Sequence, residues 1–419
     1  MKVYKFGGAS VRNADGVRNL HKIIGDEQPL FIIVSAMGKT TNALERVFAA
    51  VGQGDRATAQ QEIDTLRSYH AEIIGDLWHE RQKKLPQVES LLAELERIAA
   101  ETRFRPDEAE LWYDTIVAYG ELISTTIVSE YLRFAGTPNR WIDMRRCLRT
   151  EMRHKDAAVD LEASAPLLQE AVRNAPERVF VGQGFIGGAP DSSTTTLGRE
   201  GSDYSAAIVA NLLDAESMSV WKDVDGVLNA DPKIFPDAVQ IAELNYLDTI
   251  ELAYSGAQII HPKTIKPLQN KHIPLYVRPF GDKRKPGTVI RDVSAPVRVP
   301  ILILKKDQVL LTVRSRDFSF VLEEKFATIF SLLERYRIKA NLIHNSAVNL
   351  SLCVDNSWHI GEAIGALREA GFDVMKTDRM ELLTIRGYTR ELFEKYASGP
   401  QIFVRQSTQS TVRIVRKCE

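Results

Sequence analysis

A lysine followed two residues later by paired glycines opens this chain. Lys5 belongs to a short strand of alternating apolar residues, and Gly7 and Gly8 form the turn before a helix that begins near Asn13. Glycine has no Cβ, so the backbone can approach a ligand closely, and the N–H groups at the turn and the helix start suit an anion. Lys5 adds a positive charge. The arrangement predicts a phosphate site, although strand–Gly–Gly–helix is also a common tight connection.

Small and hydroxyl-bearing side chains follow the second apolar run, from Ser35 to Asn42. Ligands collect at the carboxyl ends of strands in open α/β sheets, so this segment is a candidate pocket wall. Thr41 could equally serve only to cap the next helix. The segment is not a Walker loop, because Ile33 stands where the first glycine of that motif belongs. The His-Arg-Asp and Asp-Phe-Gly signatures of protein kinases are also absent from the sequence.

Glu121 is a candidate ligand for an ammonium group. It lies in a helical pattern over residues 109–134, and its neighbours at helical spacing, Val117 and Val128, belong to an apolar stripe. A carboxylate on a buried face is costly unless it is paired, and Gly120 leaves open space beside it. The alternative is a glutamate that tilts to solvent at the edge of the stripe.

A glycine-rich, charged segment, residues 198–206, leads into an apolar helix. Ser202 and Asp203 stand at the helix start, where side chains can form a cap and N–H groups can hold an anion. Arg199 can hold a carboxylate through two parallel hydrogen bonds. A plain cap beside a surface arginine would explain Ser202, but not the surplus of glycines and charges.

A long polar loop, residues 221–233, follows a later strand and is rich in turn residues. A structural loop explains this composition adequately by itself. Its position after a strand also makes a nucleotide pocket a reasonable hypothesis.

Composition excludes several classes of protein. The 419 residues allow two or three domains, and the net charge of −1 argues against a nucleic-acid binder that relies on a basic surface. No apolar run of about 18 residues occurs, so no membrane span is expected, and the N-terminus has the pattern of a strand rather than a signal peptide. The three cysteines are far apart and odd in number, which fits a reducing cytosol and no metal cluster.

Strand-like runs alternate with helical patterns in the first part of the chain, which predicts an α/β sheet with helices on both faces. Residues 41–133 are mostly helical in pattern and indicate a helical lobe beside the sheet. Pro296 and Pro300 bracket a predicted linker. The predicted strands are Lys2–Phe6, Leu30–Ser35, Asn139–Asp143, Val179–Gln183, Met218–Trp221 and Ile273–Val277.

Beyond residue 300 the order becomes βαββαβ, which is typical of a ferredoxin-like domain. The six predicted elements lie at 301–313, 322–336, 340–345, 348–354, 359–370 and 372–377. A second, shorter set of elements follows at 381–386, 389–396, 401–405 and 411–416.

Five segments in order closely resemble the aspartate kinases of the amino acid kinase family, over nearly the whole chain. They are similar to the opening signature, the Gly-Arg-Gly-Gly-Ser-Asp segment, the nucleotide segment, the Gly-Ala-Lys-Val-Leu-His-Pro segment and the paired ACT regulatory domains. In this chain they are residues 5–10, 198–206, 221–233, 256–262 and 301–419. The departures from the family pattern are Ala9, Glu200, Lys222, Lys233 and Gln258.

The resemblance implies a fold and a domain organisation. Residues 1–292 are expected to form a three-layer αβα amino acid kinase-like sheet domain. A ferredoxin-like βαββαβ (ACT-like) regulatory region follows, with a first ACT-like domain at 301–378 and a second, shortened unit at 379–419. The resemblance further implies a cytoplasmic protein that forms a homodimer or larger homo-oligomer through 301–419, without nucleic-acid or membrane partners.

The implied reaction transfers the γ-phosphoryl group of ATP, with Mg²⁺, to the β-carboxylate of L-aspartate. The product is 4-phospho-L-aspartate, and the reaction is the first step of lysine, threonine and methionine biosynthesis. A free carboxylate is ionised at neutral pH, so the reaction requires no general base. What remains for the protein is positioning and charge neutralisation.

The resemblance also implies roles for individual residues. The phosphoryl group is held by Lys5, Gly7 and Gly8, with Asp203 near substrate and phosphate. Arg199 grips the α-carboxylate and Glu121 takes the α-ammonium, while the aspartate pocket is lined by Ser35, Thr41 and Ser202. The ATP site contains Lys5, Lys222, Asp223, Leu228, Lys233 and Gln258. The Gln258 amide cannot replace an ammonium group electrostatically, and Lys222 or Lys263 is a candidate to compensate.

The expected effector site lies in the first ACT-like domain, at Phe318–Val321 and Asn341–Ser346. Lysine-sensitive relatives carry carboxylates where Asn341 and Ala347 stand here, so the resemblance implies weak lysine inhibition or a different small effector. The alternative is that backbone groups alone hold lysine. The regulatory candidates are Phe318, Val321, Asn341 and Ser346.

Two other functions remain open at this stage. One is an amino acid kinase that acts on glutamate or acetylglutamate, against which the ACT-like region and the segment from Arg199 to Asp203 argue. The other is an amino-acid sensor with an inactive kinase domain, against which the presence of Lys5 and Glu121 argues.

Overall fold

The computed structural model describes residues 1–102, 104–257, 260–293, 299–316, 323–397 and 401–418. The chain divides into two compact units. The first comprises Met1–Val227, Ala242–Ile250 and Ile260–Ala295, and the second comprises Leu228–Ile241, Glu251–Ile259 and Pro296–Glu419. No helix in the described part of the chain is long and apolar enough to cross a membrane.

The first unit contains an eight-stranded sheet with the order β3-β4-β2-β1-β7-β9-β10-β8, and a small hairpin of β5 and β6. All neighbouring strands of the large sheet are parallel except β9 and β10. The strands are β1 (Lys2–Phe6), β2 (Leu30–Val34), β3 (Arg140–Ile142), β4 (Val179–Gln183), β5 (Ile186–Gly188), β6 (Thr194–Thr196), β7 (Ser217–Lys222), β8 (Glu243–Leu244), β9 (Leu275–Pro279) and β10 (Thr288–Ile290).

Helices cover both faces of this sheet, as a buried parallel sheet requires. Helix α6 packs on β2 and β4, while α9 packs on β1, β2 and β7. The helices are α1 (Ala14–Ile24), α2 (Thr40–Gly52), α3 (Arg56–Trp78), α4 (Pro86–Glu101), α5 (Ala109–Val117), α6 (Tyr119–Phe134), α7 (Met144–Cys147), α8 (Leu161–Arg173), α9 (Gly201–Leu212), α10 (Tyr246–Ser255) and α11 (Pro262–Gln269). The predicted three-layer α/β architecture is therefore confirmed.

The strand register brings the chemistry-bearing loops to one edge. Lys5 pairs with Ile33 of β2 and with Val220 of β7, so the three parallel strands end side by side. The turn after β1, the segment after β2 and the loop after β7 consequently leave the same edge of the sheet. Tyr4 and Phe6 point into the large apolar core. Because successive side chains of a strand alternate between faces, Lys5 points to the opposite face, towards α9.

The second unit contains a six-stranded antiparallel sheet with the order β12-β13-β11-β14-β16-β15. Its strands are β11 (Ile301–Ser315), β12 (Ala340–Asn345), β13 (Asn349–Asp355), β14 (Phe372–Arg386), β15 (Ile402–Ser407) and β16 (Thr411–Lys417). Its helices are α12 (Glu323–Arg335), α13 (Ile360–Glu369) and α14 (Arg390–Ala397).

One predicted break in this region is wrong. The expected strands 372–377 and 381–386 form the single strand β14, which pairs with β11 along its length. The pairing becomes irregular between Lys305 and Gln308, and Arg379 has a φ of 60°. The polar residues before Met380 therefore mark a bend in a continuous strand rather than a loop. The domain boundary at residue 378 stays a prediction.

Candidate active site

Lys5 and Asp203 form a buried ion pair between β1 and α9. Lys5 Nζ lies 2.6 Å from Asp203 Oδ1, and Lys222 Nζ lies 3.5 Å from Asp203 Oδ2. Burial acts to raise the pKa of Asp203, but the ammonium groups of Lys5 and Lys222 outweigh burial and hold the pKa below its ordinary value. The site therefore keeps an ionised carboxylate that holds two cations at the carboxyl edge of the sheet.

The glycine turn lies directly beside the Lys5 ammonium group. A Cβ on Gly7 would be 3.7 Å from Lys5 Nζ, and a Cβ on Gly8 would overlap the carbonyl oxygen of Ala36. The N–H of Gly38 donates to the Gly8 carbonyl over 2.9 Å. Gly8 is thus required by the close approach of the segment after β2, and Gly7 keeps the space beside Lys5 open.

Glu121 is buried near the start of α6, with 3% of its surface exposed. Its Oε1 accepts a hydrogen bond from the Ala36 N–H over 3.2 Å, while Oε2 has no hydrogen-bond partner among the described residues. Burial raises the pKa of Glu121 to about 8, against the opposing effects of two backbone N–H groups and of Lys5. The predicted burial is confirmed, and the alternative of a solvent-tilted glutamate is wrong.

The glycine beside Glu121 has a different role from the one expected. A Cβ on Gly120 would lie 2.8 Å from Ala36 Cβ and 3.3 Å from Thr40 Cγ2. Gly120 therefore allows α6 to pack closely against the segment after β2, and does not leave open space. This close packing brings Glu121 to the backbone of Ala36, next to Ser35.

The hydroxyl residues do not cap their helices. Helix α2 begins at Thr40 after Lys39, without a side-chain cap, so Thr41 lies inside the helix and the capping alternative is wrong. Helix α9 is preceded by Glu200 in a left-handed conformation, also without a side-chain cap, so Ser202 and Asp203 lie in its first turn. Both helix starts therefore keep their hydroxyl and carboxylate groups for other partners.

Arg199 lies on the loop before α9. It is exposed and makes no ion pair with any residue that the structure describes. Its neighbour Glu200 is held, because Glu200 Oε2 accepts the N–H of His261 over 3.0 Å. The loop therefore presents an available guanidinium group next to an anchored residue.

The two candidate replacements for the missing ammonium at Gln258 have different partners. Lys222 contacts Asp203, as described above, whereas Lys263 Nζ donates to Asp156 Oδ1 over 2.8 Å and to the Leu197 carbonyl over 3.1 Å. Lys222 is thus the one that shares a partner with Lys5.

The remaining predicted ATP residues are divided between the two units of the chain. Asp223 is exposed in the first unit, while the half-buried Leu228 and the exposed Lys233 belong to the second unit. Gln258 lies outside the described residues, as do Phe318 and Val321 of the predicted effector site.

The other two effector candidates differ in their surroundings. Asn341 is buried, whereas Ser346 is exposed in the turn between β12 and β13. Asn341 Nδ2 donates to Gln308 Oε1 over 2.8 Å and to Asp355 Oδ1 over 2.9 Å. Its Oδ1 accepts a hydrogen bond from Lys305 Nζ over 2.9 Å. Both donor positions and the acceptor oxygen of the Asn341 amide therefore have hydrogen-bond partners within the sheet.

Sequence reasoning missed the residues of α3 that support the site. The Tyr69 hydroxyl donates to the Arg12 carbonyl over 2.6 Å, and a Cβ on Gly38 would lie 2.5 Å from the same hydroxyl oxygen. His70 Nε2 lies 3.5 Å from Thr40 Oγ1, and burial lowers the pKa of His70 to about 4, so the ring is neutral at pH 7. The helical pattern of residues 41–133 predicted a helical lobe beside the sheet, but not the loops that α3 contacts.

Known proteins resemble this chain over most of its length. Residues 1–279 match the amino acid kinase family. The chain is 31% identical over 360 residues to lysine-sensitive aspartokinase 3 of Escherichia coli (strain K12), an alignment that covers 85% of this chain and 78% of that protein. It is 32% identical over 372 residues to the chloroplastic aspartokinase 2 of Arabidopsis thaliana, covering 84% of this chain but 66% of that longer protein.

Solved structures of Escherichia coli aspartokinase III have the same fold. The complex with aspartate and ADP, in the R-state, matches with a TM-score of 0.81 at 27% identity and covers 100% of this chain and 96% of that one. The complex with lysine and aspartate, in the T-state, also gives 0.81 at 27% identity, covering 99% and 95%.

Proposed function

This chain belongs to the amino acid kinase family, among the aspartokinases, and we propose that it transfers the γ-phosphoryl group of ATP to the β-carboxylate of L-aspartate. The product is 4-phospho-L-aspartate, an activated acyl phosphate in amino-acid biosynthesis. The relatives' names and the aspartate and ADP in the similar crystal structure support this reaction.

The observation that carries the proposal is the buried, half-satisfied carboxylate of Glu121. An unpartnered Oε2 in a buried site is costly, and a ligand ammonium group would relieve the cost. We assign the α-ammonium of aspartate to Glu121 and its α-carboxylate to the available guanidinium group of Arg199. Ser35, Thr41 and Ser202 line the same pocket in this proposal.

Phosphoryl transfer needs little covalent chemistry from the protein. The attacking β-carboxylate is already ionised, so positioning and charge neutralisation are the main contributions. We assign Lys5, beside the Gly7–Gly8 turn, to the transferring phosphoryl group, where negative charge develops. Asp203 holds the Lys5 ammonium group in place.

The nucleotide is proposed to bind as its Mg²⁺ complex. The described residues contain no group of three or more His, Cys, Asp or Glu side chains arranged to hold a metal ion. Mg²⁺ would then arrive on the phosphates of ATP as part of the substrate. Lys222, which contacts Asp203, and Asp223 are the residues of the first unit that we assign to the nucleotide.

A single assay tests this function. ADP release is measured with L-aspartate, with L-glutamate and without an acceptor, at the same ATP and Mg²⁺ concentrations. We expect release that depends on aspartate. Release that depends on glutamate would assign the chain to another amino acid kinase activity, and no acceptor-dependent release would favour a sensor without catalysis.

The sheet of the second unit is proposed as the regulatory region, with residues 1–292 as the catalytic domain and 301–378 and 379–419 as two ACT-like units. The lysine in the T-state structure of the relative supports an amino-acid effector. The Asn341 side chain is already used within the sheet, so we propose that lysine acts weakly here or that a different small effector binds near Asn341–Ser346.

We also propose a homodimer or larger assembly formed through residues 301–419. The outer strands of the six-stranded sheet, β12 and β15, carry exposed apolar side chains, and edge strands readily pair with other strands. These side chains are Ile343, Ile402 and Phe403. Light scattering at micromolar concentration is expected to give at least twice the mass of one chain, and a monomer would refute the proposal.

The three free cysteines fit the reducing cytoplasm in which we place the protein.

A further inference from the structure

A fully buried carboxylate that the proposed reaction does not use lies on α5. Asp114 has no exposed surface and accepts hydrogen bonds from two other segments. Its Oδ1 accepts from Thr196 Oγ1 over 2.6 Å, and its Oδ2 accepts from the Thr196 N–H over 3.0 Å, the Lys155 N–H over 3.0 Å and His154 Nδ1 over 2.9 Å. A buried charge is tolerated when it is hydrogen-bonded in this way.

The helix that carries Asp114 continues into the helix that carries Glu121. Ala118, between α5 and α6, keeps a helical conformation, and its N–H donates to the Asp114 carbonyl over 3.2 Å. Asp114 and Glu121 are seven residues apart, so they lie on nearly the same face, separated by about 10 Å along the axis. The position of one carboxylate therefore fixes the position of the other.

The partner of Asp114 leads directly to Arg199. Thr196 is the last residue of β6, and Leu197 and Gly198 follow before Arg199. Lys263 Nζ bridges Asp156 Oδ1 and the Leu197 carbonyl, and a Cβ on Gly198 would lie 2.5 Å from Asp156 Oδ1. The loop before Arg199 is thus held from both sides, with Asp114 at its base.

We infer that Asp114 is a positioning residue that sets the separation between Glu121 and Arg199. This inference rests on the proposed function, in which those two residues take the α-ammonium and the α-carboxylate of one substrate. A rigid link between them selects a ligand whose two charged groups have the spacing found on an α-amino acid. A hydrogen bond to a charged group that is lost through misplacement costs roughly tenfold to a hundredfold in affinity.

The test removes the link in two steps. Thr196→Val deletes the hydroxyl bond to Asp114 and keeps the shape and the backbone bond, and Asp114→Asn replaces one acceptor oxygen by an amide nitrogen, which donates and cannot accept. We expect the KM for aspartate to rise about threefold to tenfold in Thr196→Val and tenfold or more in Asp114→Asn. The kcat and the KM for ATP are expected to stay within about twofold, because Lys5 and Asp203 are untouched. Thr196→Ser, which restores the hydroxyl, should recover the wild-type KM for aspartate.

A matched control is Thr249→Val on α10, which deletes another hydrogen bond of a buried hydroxyl, the one that Thr249 donates to the Asn245 carbonyl over 2.8 Å. It is expected to lower the Tm without changing the KM for aspartate. An unchanged KM for aspartate in folded Thr196→Val would overturn the inference. A fall in kcat together with equal rises in the KM for aspartate and the KM for ATP would also overturn it. Thr196→Val decides the matter even where Asp114→Asn does not fold. Wild-type protein in the same assay separates the two proposals, because failure to turn over aspartate would overturn the proposed function itself.

Discussion

Lys5 Nζ lies 2.6 Å from Asp203 Oδ1, and the carboxylate of Asp203 also contacts the ammonium group of Lys222 from its other oxygen. Two positive charges thus meet at one buried carboxylate where β1 and β7 end. Asp203 keeps both cations at the edge of the sheet before any substrate binds. Such preorganised charge costs no reorganisation at the moment of reaction.

Replacing Lys5 should affect turnover more than binding. In Lys5→Met we expect kcat to fall by about a hundredfold to a thousandfold, because negative charge on the moving phosphoryl group develops in the transition state. The fall in kcat should be smaller in Lys222→Met, because the contact of Lys222 with Asp203 is longer, at 3.5 Å, and the Lys222 side chain is 30% exposed. Steady-state kinetics on both substrates give the result. Lys2→Met, which removes a half-buried ion pair between another lysine of β1 and Glu27, is the control. A near-normal kcat in Lys5→Met would show that Lys5 does not stabilise the transition state and has only a binding or structural role.

Replacing Arg199 should raise the KM for aspartate far more than the KM for ATP. In Arg199→Ala the KM for aspartate is expected to rise by roughly tenfold to a hundredfold, because a charge-assisted hydrogen bond is worth about 1.5–3 kcal/mol. The KM for ATP should change much less. Arg284→Ala, which removes an exposed guanidinium group bonded to Asp282, is the matched control and should change neither. Equal effects on both substrates would contradict the assignment of Arg199.

The raised pKa of Glu121 gives the enzyme a pH dependence with a defined sign. With a pKa of about 8, the carboxyl group is mostly protonated in the free protein at pH 7. Only the ionised form attracts the ammonium of aspartate, so kcat/KM for aspartate should rise by roughly twentyfold to thirtyfold between about pH 6.5 and 8.5. Glu121→Gln should have a low, flat profile, while Glu130→Gln on the same helix should follow the wild type. A wild-type profile without this rise would contradict the role of Glu121.

The same carboxyl group should make the free protein less stable as pH rises. The unfolded chain has the ordinary, lower pKa, so between pH 4.5 and about 8 the folded state binds more protons than the unfolded state. The free energy of unfolding therefore falls as pH increases through this range. Thermal melts should show this decline for the wild type and a smaller one for Glu121→Gln, and saturating aspartate should raise the wild-type Tm.

The Asn341 network makes a prediction about regulation. Asn341→Asp would place a second carboxylate beside Asp355 and remove the donor to Gln308, at a cost of about 1–3 kcal/mol in the free energy of unfolding. The Tm should fall, and lysine inhibition should not strengthen. Asn356→Asp, which places an exposed carboxylate beside Asp307 outside the proposed effector segment, is the control. Strong inhibition of the wild type by submillimolar lysine would contradict the expectation of a weak lysine site.

Local signals predicted the parts of the molecule that depend on local patterns. An alternating apolar pattern located β1, a short strand-like run located β4, and the spacing of Val117 and Val128 predicted that Glu121 is buried. The Gly7–Gly8 turn was found from residue type alone, since few residues allow so close an approach of two backbones. These features follow from short stretches of sequence.

Pairings between distant segments could not be predicted in the same way. Asp114 and Thr196 are 82 residues apart, and no local pattern in either segment predicts contact with the other. A signal for Asp114 did exist, because it lies seven residues before Glu121 on the same helical face, but its partners depend on the tertiary fold. The capping alternative for Thr41 was wrong, because α2 begins at Thr40 and Thr41 lies inside the helix.

The most direct test of the central claim is capture of the product. An acyl phosphate reacts with hydroxylamine to give a hydroxamate, whereas the phosphate released by ATP hydrolysis does not. With ATP, Mg²⁺ and L-aspartate, the wild-type protein should yield β-aspartyl hydroxamate in equal amount to ADP, and Lys5→Met should yield almost none. Release of ADP without hydroxamate, or a hydroxamate formed from L-glutamate but not from L-aspartate, would contradict phosphorylation of the aspartate β-carboxylate.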